Sequence, residues 1–273
     1  MTQPSMGPAP GVEALLARFP KTRPPLSPNI QAIYARQYKE NREGGSTAAS
    51  LSQRLEAWMH RQVAGDVTGG AARATLELGA GTLNQLRHEP ATAPYDIVEP
   101  FAELFADSPD RARLRHAYAD IAQAPADASY QRITSIAALE HICDLPLVLA
   151  RSAELLTPDG VFRAAIPAEG GFLWKLGWSL TTGLEFRLRH GLDYGELMRH
   201  EHVNTAAEIE TLVRALFEDV EVRSFGIGRQ LSLYRFLAAR KPRLDLAAEW
   251  ISRYAGPGAA QAARRRKRGS AAT

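Results

Sequence analysis

The chain has 273 residues, 45% of them apolar and 23% charged, which is ordinary for a soluble globular protein and enough to bury a sizeable core. No apolar run approaches the roughly 18 residues of a membrane-spanning helix. The opening MTQPSMGPAP lacks the basic-then-apolar order of a secretory signal, and the single cysteine, Cys143, excludes an internal disulfide. These features lead us to expect a cytoplasmic protein. The formal net charge is +3, but Arg264, Arg265, Arg266, Lys267 and Arg268 supply five positive charges together. Without those five, the 33 basic residues fall to 28 against 30 acidic, so the body is slightly acidic. The basic tail offers contact to an anionic membrane or RNA, although a solvated tail is the commoner fate of such a run.

Seven prolines fall within residues 1–28, which predicts an extended or disordered arm with at most a short helix over 12–19. Residues 29–71 read as an N-terminal helical cap. A first helix carries Ile30, Ile33, Tyr34 and Tyr38 on one side, and Gly44-Gly45-Ser46 breaks it. Ser46 or Thr47 then caps a second helix with Leu51, Leu55, Trp58 and Met59 on its apolar face.

From residue 72 the texture becomes alternating strand and helix. Strands are predicted at 75–78, 96–98, 115–118, 130–136 and 161–166, with helices from 83, from 101 and over 146–156. A helix over 205–217 follows, then strands at 220–224 and 231–238 joined by Phe225-Gly226-Ile227-Gly228-Arg229. So short a glycine-containing link predicts an antiparallel pair finishing an otherwise parallel sheet. The alternation implies helices on both faces of that sheet. Residues 243–273 read as a C-terminal helix and the basic tail.

The stretch TLELGAGTLN (75–84) ends the first strand in two glycines, Gly79 and Gly81. In a doubly wound sheet, ligands bind outside the carboxyl ends of strands, where glycines let the backbone turn sharply and approach closely. Glu99 ends the second strand 20 residues after Gly79, where a carboxylate can accept both hydroxyls of a ribose. Asp120 follows the third strand, within reach of an adenine amino group. A dinucleotide fingerprint requires a third glycine, and Asn84 stands at that position. Glu77 would sit badly beside a pyrophosphate and well beside a sulfonium and amino-acid head. The residues favour S-adenosyl-L-methionine over NAD.

Together these segments resemble the class I, Rossmann-like S-adenosylmethionine-dependent methyltransferases over roughly residues 72–240, within a domain expected at 72–242. ELGAG (77–81) is similar to the glycine-rich first motif and YDIVEP (95–100) to the strand ending in the ribose-binding acid. SIAALEHICD (135–144) resembles the segment after the fourth strand, and LLTPDGVFRAAIP (155–167) the following turn and strand. The last helix and sixth strand lie in HVNTAAEIETLVRALFEDVEV (202–222). The resemblance implies an α/β fold with a seven-stranded, mostly parallel sheet whose last strand is inserted antiparallel. It implies a cofactor site at Glu77, Gly79, Ala80, Gly81, Asn84, Glu99, Pro100, Asp120, Ile121 and Ser135, with Tyr38 covering it. Two departures stand out: Leu83 occupies a position where many members carry glycine, and no acid opens the fourth strand at Tyr130-Gln131-Arg132.

A hydroxyl acceptor would need a base, and an imidazole titrates near neutral pH. His141 is the first candidate and His202 the second, each with a purely structural role as the alternative. No metal site is expected. The long segment 167–204, with Phe172, Trp174, Trp178, Phe186 and Tyr194, reads as a lid over an acceptor pocket, as an interfacial helix, or as plain packing. The Pro-Pro-Tyr type motif of nucleic-acid amino-methyltransferases is absent, so DNA is not an expected partner. The resemblance leans towards a small molecule or a sugar or polysaccharide precursor, methylated at oxygen. Two alternatives stay open: a non-catalytic cofactor- or partner-binding protein, and a protein or RNA methyltransferase.

Overall fold

The computed structural model describes residues 10–31, 33, 50–180, 182–227 and 231–255. Seven strands form one sheet: β1 (Thr75–Leu78), β2 (Tyr95–Val98), β3 (Leu114–Tyr118), β4 (Tyr130–Ile136), β5 (Leu156–Pro167), β6 (Phe217–Ile227) and β7 (Leu231–Pro242). Their order is β3-β2-β1-β4-β5-β7-β6. β1 to β5 pair in parallel, while β7 is antiparallel to both β5 and β6. One strand therefore opposes six, and it sits inside the sheet. This matches the inserted strand that the resemblance implies and corrects the simpler expectation of an antiparallel pair added at the edge. Composition gives the reason: β7 buries Phe236, Leu237, Ala238 and Ala239 in succession, whereas β6 exposes Glu218, Asp219, Glu221 and Arg223. A run buried on both faces belongs inside a sheet, and charged side chains protect an edge.

The helices described in full are α1 (Pro10–Leu16), α2 (Ser50–Ala64), α3 (Leu145–Leu155), α4 (Phe172–Leu180), α5 (Thr182–His190), α6 (Tyr194–Glu201), α7 (Ala206–Leu216) and α8 (Leu244–Tyr254). The helices expected after β1 and β2 are only 3-10 turns, at Asn84–His88, Ala102–Leu104 and Pro109–Arg113. Prolines 90, 94, 100 and 109 punctuate these short connections and leave no room for several helical turns. By contrast, α7 begins with Thr205 and Glu208 in a reciprocal capping box.

Strand alternation sends Leu76, Leu78, Ile133, Phe162, Ala164, Ile166, Leu237 and Ala239 into a core shared with α1, α3, α7 and α8. The other face packs Ile136, Val161, Ala165, Phe236 and Ala238 on Met59 and Val63 of α2. That second face also buries charge. Arg132 has no exposed surface and pairs with Glu89 at 2.6 Å and Asp66 at 3.1 Å, while Arg163 reaches Asp66 at 3.2 Å. Charges this deep persist because each is paired and hydrogen-bonded.

The proline-rich arm departs from its expectation. Val12, Leu15, Leu16 and Phe19 are buried in the main core, and the Tyr254 hydroxyl donates to the Leu16 carbonyl. Residues 19–27 form neither helix nor strand, in keeping with their prolines, but the segment is tied down: the Lys21 N–H donates to the Cys143 carbonyl at 2.8 Å. The expectations placed on Tyr34, Tyr38, Gly44 to Thr47, Gly228 to Arg229 and the basic tail fall outside the described residues. Among the described residues, no helix is long and apolar enough to cross a membrane.

Candidate active site

Strand order reverses between β1 and β4, so their carboxyl ends flank the switch point at which open α/β sheets bind ligands. The loop after β1 meets the loop after β4 there. Gly79 is left-handed at φ 68°, and a Cβ on it would stand 2.4 Å from the Ala138 Cβ. Gly81 is also left-handed, at φ 51°, but a Cβ there would meet nothing within 4 Å. Only the second glycine borders open space. Leu83 follows at φ 67°, a conformation that favours glycine, and its side chain is buried among Ala80, Leu86, Tyr95, Ile97 and Phe105.

Glu99 crosses from β2 to this loop. Its Oε2 accepts the Gly81 N–H at 2.9 Å and its Oε1 the Phe101 N–H at 3.0 Å, with Pro100 exposed between them. Asp120 lies beyond β3, exposed, its carboxylate accepting the Ala122 N–H at 2.7 Å, while the Ile121 side chain joins the main core. Asn84 opens the first 3-10 turn and donates to Glu56 of α2 at 3.3 Å. Gly79, Ala80, Gly81, Asn84, Glu99 and Asp120 thus line one rim of the sheet.

Two expected cofactor contacts are placed elsewhere. The Ser135 hydroxyl is fully buried and donates to the Leu78 carbonyl at 3.2 Å, so it ties β4 to β1. Glu77 points to the sheet face beneath α2 and is 2% exposed. It accepts the Tyr95 hydroxyl at 2.8 Å, and burial pushes its carboxyl up to about 8. Glu77 is thus enclosed in the fold rather than presented at the rim, and burial favours its neutral form.

Beside the glycine loop, the end of β4 carries Glu140 and His141 in a 3-10 turn, Leu139–His141. His202 ends α6, and its ring meets that of His141 edge-on with centroids 4.9 Å apart. The two candidate histidines therefore stand together. His141 Nδ1 lies 2.9 Å from the Glu201 carbonyl oxygen, and His202 Nδ1 lies 2.8 Å from Glu169 Oε2. The Trp174 indole N–H donates to the same Glu169 oxygen, and its ring stacks on His202 and packs edge-on against Tyr234. Tyr234 is pushed up to about 12 by burial and then by the charges of Glu140 and Glu56.

Sequence reasoning missed three contributors. Glu140 is 2% exposed, its carboxyl raised mainly by burial. Glu201, the last residue of α6, offers its backbone carbonyl to the His141 ring. Arg23 of the arm donates to the carbonyls of His141, His200 and Glu201 at 3.0 to 3.3 Å. Only the Glu-His pair in SIAALEH gave a signal; nothing in the proline-rich composition pointed the arm to this place.

This sheet order, with a glycine turn after β1 and an acid ending β2, is the fold of the class I, Rossmann-like S-adenosylmethionine-dependent methyltransferases. The chain is 28% identical over 169 residues to uncharacterized methyltransferases of Mycobacterium bovis and Mycobacterium tuberculosis, covering 59% of this chain and 85% of theirs. No protein-family model matches it. Among solved structures, a possible exported protein from Bordetella parapertussis is similar at TM-score 0.50 and 14% identity, over 86% of this chain and 80% of that one. An O-methyltransferase family protein from Burkholderia thailandensis is similar at TM-score 0.47 and 17% identity, over 69% of this chain. The chain spans only 57% of that protein's length. The mycobacterial relatives support methyl transfer as the activity; the likeness to the Bordetella protein speaks to the fold alone.

Proposed function

We propose that this protein binds S-adenosyl-L-methionine and methylates an oxygen of a small molecule or of a sugar or polysaccharide precursor. The observation that carries the reading is Glu99 held against Gly81 beside open space at the switch point. A carboxylate so placed suits two ribose hydroxyls, and the left-handed glycine leaves the backbone accessible to a ligand. Gly79, Ala80, Gly81 and Asn84 would border the amino-acid part, with Asp120 and the backbone at Ile121 beside the adenine. When bound, the cofactor supplies an electrophilic methyl group on a sulfonium sulfur.

The remaining work of the chain is positioning and proton removal. An N–H on His141 Nδ1 satisfies the Glu201 carbonyl, which leaves the Nε2 lone pair available. His141 is the proposed base, with His202 beside it. The helices α4 to α6, within residues 167–204, form the proposed lid, and Trp174 joins them to the histidine pair. The slightly acidic body supports a small acceptor over nucleic acid, and a cytoplasmic setting completes the proposal.

The test is a calorimetric titration with S-adenosylhomocysteine, followed by turnover across a panel of hydroxylated acceptors. Micromolar binding with product formation supports the reading. Binding without turnover on any acceptor would favour a non-catalytic binding protein, and no binding at all would overturn the cofactor assignment.

A further inference from the structure

We propose that Glu140, His141 and His202 form a binding site for a divalent transition-metal cation of the Zn²⁺ type. The inference rests on the proposed function only for its location beside the acceptor. One donor atom from each of the three side chains lies within 4.8 Å of the other two. They come from separate elements, the turn after β4 and the end of α6, so the fold rather than local sequence assembles them.

Three observations point to a ligand. The Glu140 Oε2 atom is buried with no hydrogen-bond partner among the described residues, in a side chain that is 2% exposed. Leaving such an acceptor unmatched is costly, and a cation would satisfy it. Next, both histidines are held through Nδ1 by oxygen acceptors, the Glu201 carbonyl and the Glu169 carboxylate. An oxygen acceptor selects the N–H tautomer at Nδ1, which leaves both Nε2 lone pairs free to ligate. A carboxylate or carbonyl behind each ligating histidine is the usual support of a metal site. Finally, the His141 side chain is 31% exposed, so the cluster is open on one side to a water or an acceptor oxygen.

The donor chemistry narrows the ion. Two imidazoles and one carboxylate match catalytic zinc sites, whereas magnesium and calcium favour all-oxygen shells. Metal–ligand bonds of about 2.1 Å in a tetrahedral site would separate the donors by about 3.4 Å. His141 Nε2 and Glu140 Oε1 are 3.8 Å apart and the three donors lie within 4.8 Å of one another, so closing the site takes an inward movement of up to about 1.4 Å, and rotation of the Glu140 carboxylate would bring either oxygen to the cation. With the cation in place, His141 is a ligand rather than a base. The open coordination position would then bind the acceptor hydroxyl and lower its pKa, its proton passing to water on the exposed side of the cluster.

Equilibrium dialysis of the full chain against Zn²⁺, with metal analysis, tests this directly, and Co²⁺ absorption reports the coordination geometry. One equivalent should bind, and His202→Ala should weaken binding at least about 100-fold while unfolding in EDTA at nearly the wild-type temperature. His141→Ala is the second variant should His202→Ala fail to fold. Glu169→Gln, one shell further out, should weaken binding by about 10- to 100-fold. Absence of stoichiometric Zn²⁺ binding, or undiminished binding by the folded His variants, overturns the site. A parallel S-adenosylhomocysteine titration in EDTA separates the two proposals. Cofactor binding without any cation binding would sink the metal site and leave the methyltransferase reading intact.

Discussion

Gly79 and Ala138 touch so closely that a single methylene on Gly79 would stand 2.4 Å from the Ala138 Cβ. The glycine loop after β1 and the turn carrying Glu140 and His141 are thereby set against each other. Gly79→Ala should therefore combine left-handed strain with a steric clash, costing about 2–4 kcal/mol. Gly81→Ala carries the strain alone, about 1 kcal/mol, because its Cβ meets nothing. In a ligand-bound protein that open space is where the cofactor should lie. Thermal unfolding should thus single out Gly79→Ala, whereas cofactor titration should also penalise the nearly stable Gly81→Ala. Full cofactor affinity in Gly81→Ala would show that the ligand does not approach there.

Glu99→Gln isolates the carboxylate. The amide retains one acceptor oxygen, so one of the two backbone bonds from Gly81 and Phe101 survives. Hydrogen bonds to a charged group contribute about 1.5–3 kcal/mol, so affinity for S-adenosylhomocysteine should fall about 10- to 100-fold. Calorimetry on the folded variant measures this, and unchanged affinity would remove Glu99 from the site.

Leu83 sets two effects against each other. Its left-handed backbone costs about 1 kcal/mol relative to glycine, while its buried side chain contributes about 2–5 kcal/mol. Burial wins, so both Leu83→Gly and Leu83→Ala should destabilise the fold. Their order should be inverted from the usual one, with Leu83→Gly the more stable by about 1 kcal/mol, because only glycine relieves the strain. Urea denaturation of the pair decides it: an alanine variant the more stable of the two would contradict a left-handed residue 83.

These residues mark what the sequence could reveal. The β1 turn, the acid ending β2 and the helix boundaries at Leu145 and Ala206 follow from local pattern, because glycine, proline and capping residues act on their own neighbours. Sheet order was less accessible: the placement of β7 between β5 and β6 depends on how two faces are covered, which a strand's own residues state weakly. The histidine pair joins positions 61 residues apart, so spacing along the chain could nominate each residue but not bring them together. Arg132 shows the same limit. Its position looked like a missing acid, whereas the folded chain buries it against Glu89 and Asp66 from distant segments.

Glu77 gives the fold a pH dependence. Its carboxyl ordinarily titrates at 4.5 but is raised to about 8 here, chiefly by burial and in smaller part by the charge of Glu89, with the Tyr95 hydrogen bond opposing the shift. Between those values the folded chain holds a proton that the unfolded chain has released. Stability must therefore fall as pH rises through this window, by an amount on the order of a few kcal/mol. Below 4.5 both states are protonated and the full stability is present; above about 8 both are ionised and the loss is complete. Glu77→Gln keeps the shape and an acceptor for the Tyr95 hydroxyl but cannot ionise. Urea unfolding at about pH 5 and about pH 8.5 should show the wild type losing stability relative to Glu77→Gln on going to the higher pH. A difference between the two proteins that stays constant across that range would mean that Glu77 does not titrate as a buried acid.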